Sequence, residues 1–176
     1  NAWGFAKSPI DVISVGLINA TYRVHRPARE GRDVAFILQR LHPLFAAEVN
    51  SDIERITEHL ALRGMRTPRL IRTNTDARFF VDEESRVWRV LSYIEGRCLT
   101  EFRTPSLAHA AGVIAGRFAT ATMDLDHTFA FTRPGVHDTA KHLRTLQTAS
   151  TMTNAFDEAD EAKLLAESIM QFATSL

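Results

Sequence analysis

The order of strand-like and helix-like segments limits the possible folds of this chain more than any other feature. Up to Gly96, short segments rich in β-branched and aromatic residues alternate with turn-forming Gly, Pro, Asn and Asp, which is typical of strands. After Gly96, apolar residues recur every three or four positions, which is typical of amphipathic helices. We therefore predict an α+β protein, with a strand-rich domain over residues 1–96 and a helical domain over residues 97–176.

The strand-rich part is predicted to form a five-stranded antiparallel sheet with one helix. The first hairpin consists of IDVISVG and ATYRVHR, and VAFILQR is the third strand after a polar turn. A short strand follows in RTPRLIRT, and RFFVDEESRVWRVLSYIEG is a hairpin that turns at DEES. The predicted helix lies between the third and fourth strands.

The ends of that helix are marked by residues suited to helix termini. Asn50 suits the N-cap, and Gly64 lies where the helix is expected to end. Ile53, Ile56 and Leu60 share one face, as an amphipathic helix requires.

Three segments of the second part are predicted to be helical. Thr104 and Pro105 form a good helix start, and the apolar face that follows includes Ile114 and Phe118. A second helix covers AKHLRTLQTA, and a third covers DEADEAKLLAESIMQFATSL. The third is predicted to bury four apolar side chains: Leu164, Leu165, Ile169 and Phe172.

Charge and cysteine usage exclude several classes of protein. The formal net charge is zero, whereas nucleic acids and anionic membranes would favour a basic excess, so neither is an expected partner. Cys98 is the single cysteine, which excludes an intramolecular disulfide and a four-cysteine zinc site. We expect a protein of the reducing cytoplasm.

Four segments in order resemble the phosphotransferase-enzyme family, which includes aminoglycoside, choline, homoserine and hexosamine kinases. They are GLINATYRV, FILQRLHPLF followed by VNSDIERITEHL, TPRLIRT leading to WRVLSYIEGR, and RPGVHDTAKHLRTL. The last segment is similar to N-acetylhexosamine 1-kinase-like members. The resemblance implies a protein-kinase-like small lobe followed by the first helices of a large lobe. It also implies transfer of the γ-phosphoryl group of ATP to a hydroxyl of a small metabolite, a sugar or amino sugar.

The histidine-glycine-aspartate catalytic loop of that family has no counterpart in this sequence. The resemblance therefore implies an N-terminal portion without catalytic residues, whose Mg²⁺ ligands would lie in the missing C-terminal part, and which is inactive alone. The alternative hypothesis is a non-catalytic nucleotide-binding or protein-interaction module of kinase-like fold.

The first hairpin is expected to cover the phosphate groups of the nucleotide. Gly16 allows a tight turn or a close approach of the backbone to a phosphate. Asn19 and Thr21 offer side-chain donors where protein-kinase loops use more glycines. The competing interpretation is a hairpin turn with no ligand.

The third strand ends in Gln39 and Arg40, where kinase-like folds place a cation held by a carboxylate of the next helix. Alternation brings only one of the two to the nucleotide side, and the sequence does not decide which. Arg40 is the better chemical choice, because a guanidinium pairs bidentately with phosphate oxygens. Glu54 is the favoured partner on the helix, and Asp52 is the alternative.

The segment LSYIEG resembles the hinge between the two lobes. The resemblance implies that adenine hydrogen-bonds to backbone groups of four residues there: Ser92, Tyr93, Ile94 and Glu95. Such contacts demand little of side-chain identity.

His137 and Asp138 are the expected contacts to the phosphate acceptor. They are predicted to orient the acceptor, to cap the following helix, or to do both. A metal site that adds His142 is not expected, because the spacing does not match known ligand patterns.

Overall fold

The chain forms an antiparallel sheet and four helices in a computed structural model. The structure describes four stretches of residues: 2–13, 18–27, 34–152 and 159–174. The predicted α+β class is confirmed, and so is the antiparallel arrangement of the sheet.

The chain divides into two compact units, Asn1–Phe131 and Thr132–Leu176. The sheet and the first two helices belong to the first unit, and the last two helices belong to the second. This division lies further along the chain than the sequence-based boundary after Gly96. The reason is that residues between Gly96 and Phe131 hydrogen-bond to the first helix.

Within the described stretches, six strands form the sheet: β1 (Ile10–Ile13), β2 (Ala20–Arg26), β3 (Val34–Arg40), β4 (Leu70–Ile71), β5 (Phe80–Val81) and β6 (Val87–Ser92). Their order is β1-β2-β3-β6-β4, with β5 also paired to β6. All neighbouring strands are antiparallel. β2 and β3 pair along their whole length, from Ala20 opposite Arg40 to Arg26 opposite Val34.

The sheet has one strand more than the five predicted. β4 pairs with one half of β6 and β5 with the other half, both on the edge of β6 that faces away from β3. The two short strands therefore fill a single position in the sheet. Between them the chain leaves the sheet in a turn around Thr73, whose hydroxyl accepts hydrogen bonds from the N–H groups of Thr75 and Ala77.

The predicted hairpin turn at DEES is confirmed and is organised by one carboxylate. Asp82 accepts hydrogen bonds from the backbone N–H groups of Glu84 and Arg86 through Oδ1. Its Oδ2 accepts from the side chains of Arg86 and Trp88, each at 2.7 Å. Desolvation opposes ionisation, but these bonds outweigh it and hold the pKa of Asp82 well below its ordinary value.

The helix α1 (Val49–Leu62) follows β3. Asn50 was predicted to be the N-cap of this helix, and this prediction is wrong. Asn50 lies inside the first turn, where it is fully buried. Its side-chain amide donates to the backbone oxygen of Ala47 at 2.8 Å. The predicted end is confirmed: Gly64 has a φ of 69°, which glycine adopts without strain, and its N–H donates to the backbone oxygen of Ala61.

The buried side of α1 is largely polar. Five of its residues are buried: Asn50, Asp52, Thr57, His59 and Leu60. Ile53 and Ile56, which the sequence places on the same face as Leu60, are half-buried. Because buried polar groups require hydrogen-bond partners, specific bonds fix the position of α1 in addition to apolar contacts.

The helix α2 (Pro105–Thr122) starts as predicted. The hydroxyl of Thr104 accepts a hydrogen bond from the N–H of Leu107 at 3.3 Å, and proline occupies the first helical position. The apolar face remains exposed to a large extent, with Ile114 62% and Phe118 46% exposed.

His59 and Arg63 fasten the C-terminal end of α1 to the end of α2. The Nε2–H of His59 donates to the backbone oxygen of Ala121 at 2.9 Å, because a carbonyl can only accept. Nδ1 of the same ring therefore accepts from Arg63, at 3.2 Å. Arg63 also forms an ion pair with Asp124.

Asp52 fastens the N-terminal half of α1 to the segment after α2. Its Oδ1 accepts from Nε2 of His127 and from the N–H of Ala130, both at 2.8 Å, and its Oδ2 accepts from the N–H of Phe131 at 3.0 Å. Asp52 is only 3% exposed. Burial opposes ionisation, but the hydrogen bonds outweigh it and lower the pKa of Asp52.

The second unit contains α3 (Thr139–Met152) and α4 (Ala159–Thr174), which pack against each other. The helical prediction is confirmed, but the predicted burial on α4 is wrong. The four side chains are exposed by 40% or more: Leu164, Leu165, Ile169 and Phe172. Two packed helices cover only one stripe of each other, and Ala166 is the buried apolar residue of α4.

Within the parts of the chain that the structure describes, no helix has both the length and the apolarity required to cross a membrane.

We expect Asp52→Asn to lower the free energy of unfolding by about 2 kcal/mol, because an amide cannot replace both acceptor oxygens of this buried carboxylate. The folded-state pKa lies below the unfolded value, so the ionised group stabilises the fold above its ordinary pKa of 3.8. The difference from wild type should therefore shrink as the pH falls below 3.8. Urea unfolding at neutral and acidic pH measures both effects.

Asp126→Asn is the matched control, since Asp126 is exposed in the same segment. Equal stability losses in the two variants would contradict the fastening role of Asp52.

Candidate functional site

Three polar side chains form a row across the central strands of the sheet. Thr21 of β2 lies opposite Gln39 of β3, which in turn lies opposite Arg89 of β6. Nε2 of Gln39 donates to the Thr21 hydroxyl at 3.2 Å, and Nε of Arg89 donates to Oε1 of Gln39 at 2.9 Å. Nη1 of Arg89 makes a longer hydrogen bond, of 3.5 Å, to Oδ1 of Asn50 on α1. We call these four residues the polar row.

Arg89 is a buried cation whose neighbours in the polar row are uncharged. It is 9% exposed, and it forms no ion pair with a carboxylate of the described residues. Burial lowers the pKa of Arg89 to about 10, so the guanidinium remains charged at neutral pH. A buried charge without a counter-charge is unfavourable by several kcal/mol, roughly, and favours binding of an anion.

Gln39, not Arg40, faces α1. Strand alternation puts Arg40 on the opposite face of the sheet, in register with Ala20 and Trp88. The sequence-based preference for Arg40 on the α1 side is therefore not met. Gln39 lies on the same face of the sheet as Arg89, which hydrogen-bonds to Asn50 of α1.

Arg40 instead lines a cavity of about 350 Å³ at the end of the sheet. His42 and Arg86 contribute polar groups to its wall, and Ile18 and Phe45 contribute apolar ones. No residue of the polar row lines this cavity.

Glu54 is held by arginines other than the expected one. Its carboxylate accepts two hydrogen bonds from Arg72, at 2.8 and 2.9 Å, and one from Arg78 at 2.6 Å. Burial opposes its ionisation, but the two arginines outweigh this and lower the pKa of Glu54. Arg40 and Glu54, both among the described residues, form no ion pair with each other. The reason is that they lie on different sides of the sheet.

The alternative carboxylate, Asp52, is also engaged elsewhere, by His127 and the chain after α2. The helix residue that reaches the polar row is Asn50. The expected cation and carboxylate are thus both replaced by amides, and the positive charge comes from the adjacent strand.

In the first hairpin, Asn19 and Thr21 make bonds within the protein. Oδ1 of Asn19 accepts from the N–H of His42 at 2.9 Å, which fixes the start of β2 to the end of β3. Thr21 belongs to the polar row and also donates to the backbone oxygen of Asn19. Gly16 lies outside the described residues.

The backbone of the predicted hinge is only partly hydrogen-bonded among the described residues. The hydroxyl and N–H of Ser92 are used, since both bond to the backbone of Arg69 at 2.8 Å. The backbone groups of Tyr93, Ile94 and Glu95 form no hydrogen bond within the part of the chain that the structure describes.

Arg23 of β2 packs over the hinge. Its guanidinium carbon lies 4.4 Å from the centre of the Tyr93 ring, a distance typical of a cation–π contact. Nε of Arg23 is sealed from solvent and has no hydrogen-bond partner among the described residues. Ile37 and Leu91 continue the row of Arg23 across the sheet.

His137 and Asp138 lie in the second unit, before α3. Asp138 accepts a hydrogen bond from the N–H of Lys141 at 2.9 Å, which confirms it as a cap of that helix. His137 is exposed. Their contact with a phosphate acceptor stays a prediction.

The carboxylates and histidines described do not form a metal site. No group of three His, Cys, Asp or Glu side chains among the described residues is placed to hold a metal ion. The described residues therefore do not fit a Mg²⁺ site.

The sequence analysis did not identify Arg89 or Arg23 as residues of this face. It also did not predict that Asn50 is buried and hydrogen-bonds to Arg89. A signal for Arg89 is present, because a charged residue stands between Trp88 and Val90 in an apolar central strand. Such a position requires a polar partner on the neighbouring strand.

No protein-family model matches the chain, and no curated protein matches it. The family resemblance of the sequence motifs therefore stays a prediction.

We expect Glu54→Gln to lower the free energy of unfolding by about 1 kcal/mol, because solvent screens the partly exposed Arg72 and Arg78. The glutamine removes the negative charge to which both arginines bind, and it retains one acceptor oxygen. Urea unfolding measures the change, and Glu58→Gln, on an exposed position of α1, is the control. No difference between the two variants would show that the Glu54 bonds do not stabilise the fold.

Proposed function

We propose that this chain is the N-terminal, nucleotide-binding portion of a cytoplasmic ATP-dependent phosphotransferase. Its acceptor would be a hydroxyl of a small metabolite, a sugar or amino sugar. The phosphoryl transfer would also need a catalytic base and metal ligands, which the residues named above do not provide.

The observation that carries the proposal is the polar row, which begins at Thr21 on the second strand of the first hairpin. A positively charged guanidinium, oriented by two amides, offers a site for an anionic group on the sheet face beside α1. The sheet order β1-β2-β3-β6-β4, with α1 inserted after β3, is compatible with the small lobe of kinase-like folds. Fold alone does not establish function, so the charge placement has the greater weight.

The hinge supports the same ligand class. Backbone donors and acceptors of Tyr93, Ile94 and Glu95 are free among the described residues, as recognition of a purine edge requires. Ile37 and Leu91 lie between the hinge and the polar row on the same face. A base could pack on these two side chains with its phosphates toward Arg89.

A protein-interaction module is the second candidate function. It is favoured by the apolar residues exposed on α2 and directly after it, among them Ile114 at 62% and Met123 at 84%. Exposed apolar patches of this kind often mark interfaces. Self-association that rises with concentration and does not respond to nucleotides would favour this candidate over the first.

Titration of the chain with ATP and MgCl₂, followed by amide NMR, tests the proposed function. We expect weak, saturable shifts at the amides of Thr21, Gln39 and the hinge residues 93–95, because the ligand would contact this face. Val81, at the sheet edge, is the internal control.

Two results would contradict the proposed function. One is the absence of saturable shifts. The other is a set of shifts centred on the cavity beside Arg40 and His42, which would place the anion at a different surface.

A further inference from the structure

We infer that Arg89 of β6 binds the phosphate groups of the nucleotide, in place of a cation on β3. The inference rests on the proposed function and assigns the phosphate-binding residue of that site. Neither the hairpin motif nor the end of β3 indicates this role, because the residue of β3 that faces α1 is Gln39.

The guanidinium of Arg89 has donor groups left for a ligand. Nε is used by Gln39 and Nη1 by Asn50. Nη2 forms no hydrogen bond with the described residues, and it is not among the atoms sealed from solvent without a partner. This nitrogen is therefore not fully sealed from solvent. A guanidinium fixed at two of its nitrogens loses little freedom when a phosphate binds the third.

The two acidic groups of α1 that are not exposed do not neutralise Arg89. Glu54 is paired with Arg72 and Arg78, and Asp52 is bonded to His127 and two backbone N–H groups. The side chains that hydrogen-bond to Arg89 are neutral amides. An external anion can therefore supply the missing counter-charge.

Arg23, the second arginine of this face, lies nearer the hinge. It is two residues from Thr21 along β2, about 7 Å away, and packs on Tyr93. This position suits contact with the base rather than with the phosphates. The order along the face is then hinge, apolar Ile37 and Leu91, and the polar row.

Binding of ATP and of adenosine to Arg89→Met tests the inference, with urea unfolding on the same sample. We expect ATP to bind about 10- to 100-fold more weakly, since a charge-assisted hydrogen-bond pair is lost, and adenosine to bind as in wild type. The urea midpoint should stay unchanged or rise, because the variant removes an uncompensated buried charge. Arg26→Met, which removes one charge from an exposed position of β2, should leave both affinities unchanged.

Gln39→Glu is a second variant that keeps Arg89 and pairs it with a carboxylate of the same shape. It should also weaken ATP about 10-fold or more, leave adenosine binding unchanged and raise the urea midpoint. This variant neutralises the charge of Arg89 and keeps the Arg89 side chain in its place.

The outcomes separate the inference from the proposed function. A wild-type chain that binds neither ATP nor adenosine contradicts both. A wild-type chain that binds ATP, with Arg89→Met binding it equally well, contradicts only the inference. Loss of adenosine binding or a lower urea midpoint in Arg89→Met would mean that Arg89 merely supports the sheet, which also overturns the inference.

Discussion

The site depends on one constraint: an arginine inside the sheet has no acidic partner among the described residues. Gln39 and Asn50 satisfy the hydrogen-bonding of Arg89 but not its charge. A carboxylate in place of either amide would stabilise the fold and remove the positive potential at this face. The amides therefore orient the guanidinium without neutralising its positive charge.

The position of α1 is also fixed by hydrogen bonds rather than by apolar contacts alone. Asp52 binds the chain after α2, Glu54 binds the excursion between β4 and β5, and His59 binds the end of α2. Each bond requires one orientation of the helix, whereas apolar contacts tolerate sliding and rotation. Asn50 is thereby brought to Arg89 with the geometry that the polar row needs.

The sequence predicted local structure well and the partners of charged residues poorly. The DEES turn, the end of α1 at Gly64 and the start of α2 depend on local residue types, and all are confirmed. Alternation shows that Gln39 and Arg40 face opposite ways, but the side that α1 covers is a tertiary property. The partners of Glu54 lie in an irregular excursion that no periodicity describes. On α4, the amphipathic pattern shows that one face is apolar. It does not show whether another element covers that face.

The split edge of the sheet has a consequence for self-assembly in solution. β4 and β5 are two residues long each, and the chain bulges away from the sheet between them. A neighbouring molecule can find only short runs of unsatisfied amide and carbonyl groups there, too few to template an added strand. Growth of ordered aggregates by edge-to-edge addition is thus disfavoured on this side of the protein.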